Sequence, residues 1–144
     1  MNNTPVWINC VVSLLVAIVI AGCGGGESTN THAPGDIERL SNATIYHLQD
    51  GVFIHEAIEG ADHYYLLHDI VESYELTQDG LKYVKKNSAG NSPRPPVGEI
   101  LCIFREPDSS SLVTKFRGDE ETIKKFIESF NADATVESVR NIIR

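Results

Sequence analysis

Two tight-turn signals constrain this chain more than any other feature. Gln49-Asp50-Gly51 separates ATIYHL from VFIHEAI, and Gln78-Asp79-Gly80 separates SYELT from LKYVKK. An Asp-Gly pair between β-rich runs marks a hairpin, because a two-residue turn needs positive φ at its centre, which Gly and Asp tolerate best. The chain from Ala43 onward is therefore expected to run as successive short antiparallel strands. A two-residue turn at Asp50-Gly51 pairs Gln49 with Val52, His47 with Ile54 and Tyr46 with His55.

Ala61 to Ser73, ADHYYLLHDIVES, fits two patterns. Leu67, Ile70, Val71 and Tyr74 match a helical face with Asp62 as cap. Aromatic and β-branched content, and the need to enter the second hairpin near Val71, favour strands with a turn at Glu59-Gly60-Ala61-Asp62. Asn87 to Gly98 holds three prolines and is expected to be an irregular loop. Glu99 to Arg105 and Leu112 to Phe116 form a further hairpin around residues 106–111.

Helices come last. In Asp119 to Phe130, Ile123, Phe126, Ile127 and Phe130 make one apolar face, with Glu120 and Glu121 in the first turn where the helix dipole favours acids. A second helix from Thr135 places Val136, Val139, Ile142 and Ile143 on one side. Strands first and helices last indicate an α+β fold. It would be an antiparallel sheet of about five to seven short strands, packed by one or two C-terminal helices.

The N-terminal part is different in kind. Val11 to Cys23, VVSLLVAIVIAGC, is an apolar run ending in two small residues and a cysteine, and three glycines follow. It is short for a membrane span, which needs ~20 apolar residues, and suits the apolar region of an export signal. Ile20-Ala21-Gly22-Cys23 resembles the lipobox of bacterial lipoproteins: an aliphatic residue, two small residues, then the acceptor cysteine. The run lacks the Lys or Arg that usually precedes it in that class.

The resemblance implies cleavage before Cys23, lipidation of Cys23 and anchoring in the membrane of the cell envelope. With Gly24 and not Asp after the cysteine, it implies the outer membrane where there are two. The organisation expected is a signal peptide over 1–22, a flexible polar tether over 23–35 and one α+β domain over 36–144. His32 falls in the tether, where a solvated side chain is expected.

Charge narrows the partners. The net charge of −8 lies wholly after residue 26. An acidic domain is a poor match for nucleic acid, whose phosphates need clustered Lys and Arg. Lys82, Lys85 and Lys86, and Lys124 and Lys125 among glutamates, suit solvated faces.

Chemistry-bearing patterns are sparse. With Cys23 lipidated, Cys102 is left as the lone thiol, inside the apolar run Ile100-Leu101-Cys102-Ile103-Phe104, as expected of a buried small hydrophobe. The predicted hairpin register puts His47 and His55 on opposite sides of the sheet, and His63 and His68 diverge on a strand, so no shared metal is expected. His55-Glu56 lacks the second histidine of a zinc-protease helix. Ser109-Ser110-Ser111 lacks a nucleophile elbow. Arg117-Gly118-Asp119 falls where a strand ends and a helix is capped. No catalytic, cofactor-binding or metal-binding residue is assigned and no cofactor is expected.

The reading favoured by sequence is a non-catalytic domain that binds an envelope protein, an immunity or inhibitor type included. A carrier of an apolar or lipid ligand would need a cavity between sheet and helices. A small hydrolase would need a histidine within hydrogen-bond reach of a carboxylate inside a cleft.

Overall fold

A computed structural model describes residues 32–105 and 111–143. The export segment and Cys23 lie outside the described residues, as does most of the 106–111 turn. The strands are β1 (Ile37–Arg39), β2 (Ala43–His47), β3 (Gly51–Ile58), β4 (Ala61–His68), β5 (Val71–Thr77), β6 (Gly80–Lys85), β7 (Ser88–Pro93), β8 (Glu99–Arg105) and β9 (Ser111–Arg117). The helices are α1 (Glu120–Glu128) and α2 (Val136–Ile143).

Six strands form one sheet in the order β1-β2-β3-β4-β8-β9, and β5-β6-β7 form a second. All neighbouring pairs are antiparallel except β4 and β8, which run parallel, Tyr64 opposite Ile100 and Leu67 opposite Ile103. The small sheet is thus the crossover that a parallel pair requires. It covers one face of the large sheet while the helices cover the other, giving three layers and two cores.

The central strands carry the sequence signature of this burial. In β4, Tyr64 and Leu66 enter the helix-side core, and Tyr65 and Leu67 enter the core beneath the small sheet. In β8, Ile100, Cys102 and Phe104 face the helices, and Leu101 and Ile103 face the small sheet. Strands covered on both faces read as continuous apolar runs instead of alternating ones.

The α+β class and the packing of the sheet by both helices agree with the sequence. The large sheet has six strands, as expected; among the described residues a second, three-stranded sheet and one parallel pair are added to it. Within residues 61–73, Ala61–His68 and Val71–Ser73 are strand, broken by a turn at Asp69-Ile70, and the β3–β4 turn is Glu59-Gly60, with φ of 52° and 78°. Positive φ at both central residues is the backbone twist that suits a two-residue hairpin.

Two expectations are corrected. First, β2 pairs β3 with His47 opposite Val52 and Thr44 opposite His55, two residues from the expected register. The turn sits one residue earlier than expected: Leu48 N–H donates to Gly51 C=O at 2.9 Å, which leaves Gln49 and Asp50 as its central pair. A shift of two preserves the faces, so His47 and His55 still point to opposite sides.

Second, much of the expected 87–98 loop is strand β7. Asn87, at φ 63°, makes the turn from β6, a conformation asparagine tolerates. Pro93 ends β7 opposite Gly80, on an edge strand, where a missing N–H costs least. Gly90 in its middle lies under the Tyr83 ring, whose atoms a Cβ would meet at 2.5 Å.

The start of α2 is docked by the β2–β3 connection. Asp50 Oδ1 accepts from Val136 N–H at 2.7 Å, and Gln49 N–H donates to Ala134 C=O at 2.9 Å. Thr135 and Ser138 complete the start of α2 by exchanging backbone-to-hydroxyl hydrogen bonds at 2.8 and 3.1 Å. Asp119 precedes α1 in extended conformation, and Arg117-Gly118-Asp119 is the strand-to-helix junction that the sequence indicates.

Candidate functional site

A cleft of about 240 Å³ opens beside the β2–β3 connection and the end of β4. His32 and His47 line one part of it, and Asp50, His68 and Asp69 another. Elsewhere the histidines are spoken for: His55 Nε2 donates to Asp62 Oδ1 at 2.7 Å, and His63 Nδ1 donates to Pro95 C=O at 2.7 Å.

Local sequence explains how His32 reaches the cleft. Ala33-Pro34-Gly35-Asp36 is a turn closed by Asp36 N–H to Ala33 C=O at 3.0 Å. Pro34 supplies the fixed negative φ of the second position, and Gly35, at φ 93°, the positive φ of the third, which together define a type II turn. Asp36 Oδ2 accepts from Ala33 N–H at 2.9 Å and tightens it. Backbone bonds on both sides of His47, Gly35 N–H to His47 C=O at 2.8 Å and His47 N–H to Asp36 C=O at 3.0 Å, fasten the turn to β2.

The turn lays the His32 ring over the His47 ring, centroids 4.3 Å apart and planes 21° from parallel. His32 stays exposed to solvent, as expected from sequence, but one face of its ring rests on His47. Glu38, on β1, completes the group. Its Oε2 accepts from His47 Nε2 at 3.2 Å and lies 3.4 Å from His32 Nε2. Burial pushes the His47 pKa below the ordinary imidazole value, and the Glu38 hydrogen bond opposes that push.

On the other side of the cleft, His68 Nε2 stands 3.5 Å from Asp50 Oδ2, and His68 Nδ1 is in contact with Asp69 Oδ1. Arg105 also approaches Asp69, at 3.6 Å. Asp50 thus serves both the start of α2 and the cleft wall. The histidine–carboxylate proximity required of a hydrolase is present in this cleft.

Among the described residues, aromatic side chains fill the middle of the space between sheet and helices. Phe126 meets Phe53 edge-on at 5.2 Å, and Phe130 meets Tyr46 at 5.1 Å, between sheet and helices. Cys102 is fully buried in this core, and burial pushes its thiol pKa up to about 12.

Besides the apolar core between them, a charge pair ties the large sheet to the small one. The Glu56 side chain is fully buried beneath it, and Arg94 donates through Nε to Glu56 Oε1. Arg94 also donates to Thr77 and Gln78 C=O at 3.1 Å each, tying β3 to the β5–β6 turn. Glu56 thus has a structural partner, and His55 beside it points to the opposite face. No family model, no curated protein and no solved structure matches this chain.

Proposed function

We propose that the protein is a lipid-anchored component of the bacterial cell envelope. Its α+β domain is a binding module for another envelope protein, an immunity or inhibitor type included. Ile20-Ala21-Gly22-Cys23, with the Gly-, Ser- and Thr-rich segment after it, is the observation that carries this reading. Cys23 is the lipidation site and the membrane is reached through it. Two acyl chains on such a residue give a stable anchor, whereas one is marginal.

The domain offers surfaces for a partner. β9 is a seven-residue edge of the large sheet with Val113 exposed, and β1 forms the opposite edge with Ile37 exposed and Leu40 exposed just after it. Free strand edges are templates for strand addition by a partner chain. Crosslinking in native membranes followed by co-purification tests the reading. A discrete crosslinked envelope protein is expected, and a chain that remains monomeric and uncrosslinked contradicts it.

A hydrolytic cleft is the second reading, favoured by His68 lying against both Asp50 and Asp69. Turnover of ester or peptide substrates that disappears in His68→Ala would replace the first reading with this one.

A further inference from the structure

We propose that His32, Glu38 and His47 form a binding site for a divalent transition cation, of which Zn²⁺ best fits the ligand set. Their donor atoms all lie within 4.8 Å of one another. Two imidazole nitrogens face one carboxylate oxygen at 3.2 and 3.4 Å. Tetrahedral zinc with ligand bonds of about 2.0–2.1 Å holds its ligand atoms ~3.3 Å apart, so two of the three edges already have the required length. Two histidines and a carboxylate suit zinc among borderline cations, whereas calcium and magnesium prefer all-oxygen sites.

The surroundings are those of a metal site. Asp36 Oδ2 lies 3.9 Å from His32 Nδ1, the nitrogen other than the one facing Glu38. That separation is too long for a hydrogen bond, so Asp36 acts on the His32 ring only through its charge. The His47 side chain is only 8% exposed and Glu38 25%, so two of the three donors are partly desolvated before a cation arrives. Three protein ligands leave a fourth position open, and the cleft lined by His32 and His47 gives a water or an anionic donor access to it.

The ligands come from three places: His32 before the Pro34-Gly35 turn, Glu38 on β1 and His47 on β2. A bound cation therefore cross-links the entry of the chain to the edge of the large sheet. This inference stands apart from the lipid anchor, because it uses only residues of the domain and its entry turn.

The test is calorimetric titration of Zn²⁺ into the full-length chain in detergent, without a histidine tag and after chelator treatment. Co²⁺ is titrated in parallel to read coordination from its visible absorption. One Zn²⁺ per chain is expected, with the intense bands of four-coordinate Co²⁺. Loss of an outer-shell partner typically weakens metal sites ~10–100-fold, so loss of a direct ligand in His32→Ala or Glu38→Gln should weaken binding at least tenfold.

Both of these side chains are partly exposed, so either variant should fold even where His47→Ala does not. His55→Ala, outside the group, should bind as the parent does. Absence of stoichiometric Zn²⁺ binding, or binding indifferent to both His32→Ala and Glu38→Gln, overturns the proposal and leaves the group as a hydrogen-bonded ion pair.

Discussion

Asp50 Oδ1 accepts a hydrogen bond from Val136 N–H at 2.7 Å, joining the β2–β3 connection to the first turn of α2 across 86 residues. The carboxylate satisfies a donor that a helix start leaves without an intrahelical partner. Asp50→Ala should therefore destabilise the domain by about 1 kcal/mol, as loss of a capping acceptor does, and Asp50→Asn by less. Urea denaturation of the variants measures this. Equal loss in Asn and Ala variants would assign the effect to the His68 contact instead.

Glu56 and Arg94 form the buried charge pair between the two sheets. Removing one partner strands the other charge out of water, whereas removing both does not. Arg94→Ala should cost about 3–5 kcal/mol, and adding Glu56→Gln should recover part of that loss. Denaturation midpoints of the single and double variants decide it. A loss within ~0.5 kcal/mol for Arg94→Ala would mean the pair contributes no more than a surface contact.

Phe126 is the side chain on which the helix-side core converges, touching the rings of Phe53, Tyr46 and Phe130. Phe126→Ala removes a large buried ring that neighbouring aromatics cannot fill by small shifts. The expected cost is about 3–5 kcal/mol, a large share of the stability of a domain this size. A loss below ~1 kcal/mol in thermal or urea unfolding would show that α1 is not a structural part of the core.

Burial pushes the Cys102 thiol up to about 12, from an ordinary 9.0, and the Tyr64 phenol to about 12, from an ordinary 10.0. Between pH about 9 and about 12 the folded chain keeps protons that the unfolded chain has lost, so stability should fall as pH rises. Urea midpoints at about pH 8 and about pH 10.5 should differ in that direction, and less so in Cys102→Ala. The folded thiol should also resist alkylation, because attack requires thiolate and access. Rapid labelling of folded protein, or a midpoint indifferent to alkaline pH, contradicts this placement.

Much of the fold is legible in the chain, and the illegible parts share a cause. The hairpins around residues 49–51, 59–60 and 78–80, and both helices, follow from turn chemistry and periodicity that act within a few residues. The parallel β4–β8 pair does not, because its partners are joined by a long crossover and no local pattern encodes their meeting. Its trace is the run Tyr64-Tyr65-Leu66-Leu67, apolar on consecutive positions because layers cover both faces. That same run makes helix and strand hard to tell apart by periodicity. Prolines hide β7, since composition does not distinguish a loop from an edge strand that ends in Pro93.

The histidine group was partly hidden for a similar reason. Parity along the strands separates His47 from His55 correctly, but it says nothing about a residue outside the strands. His32 joins His47 only because Pro34-Gly35 reverses the chain. The Pro-Gly pair followed by Asp36 was the available signal: a turn prediction with a mechanism, in a stretch whose composition otherwise suggests a tether.

Acyl labelling tests the lipid anchor at Cys23 most directly. Bacteria expressing the full-length chain are grown with a labelled fatty acid, and wild type is compared with Cys23→Ala. The account predicts label on the wild-type chain, its recovery with membranes, and loss of the label in the variant. Equal labelling of the two, or none in either, would contradict a lipid anchor at Cys23.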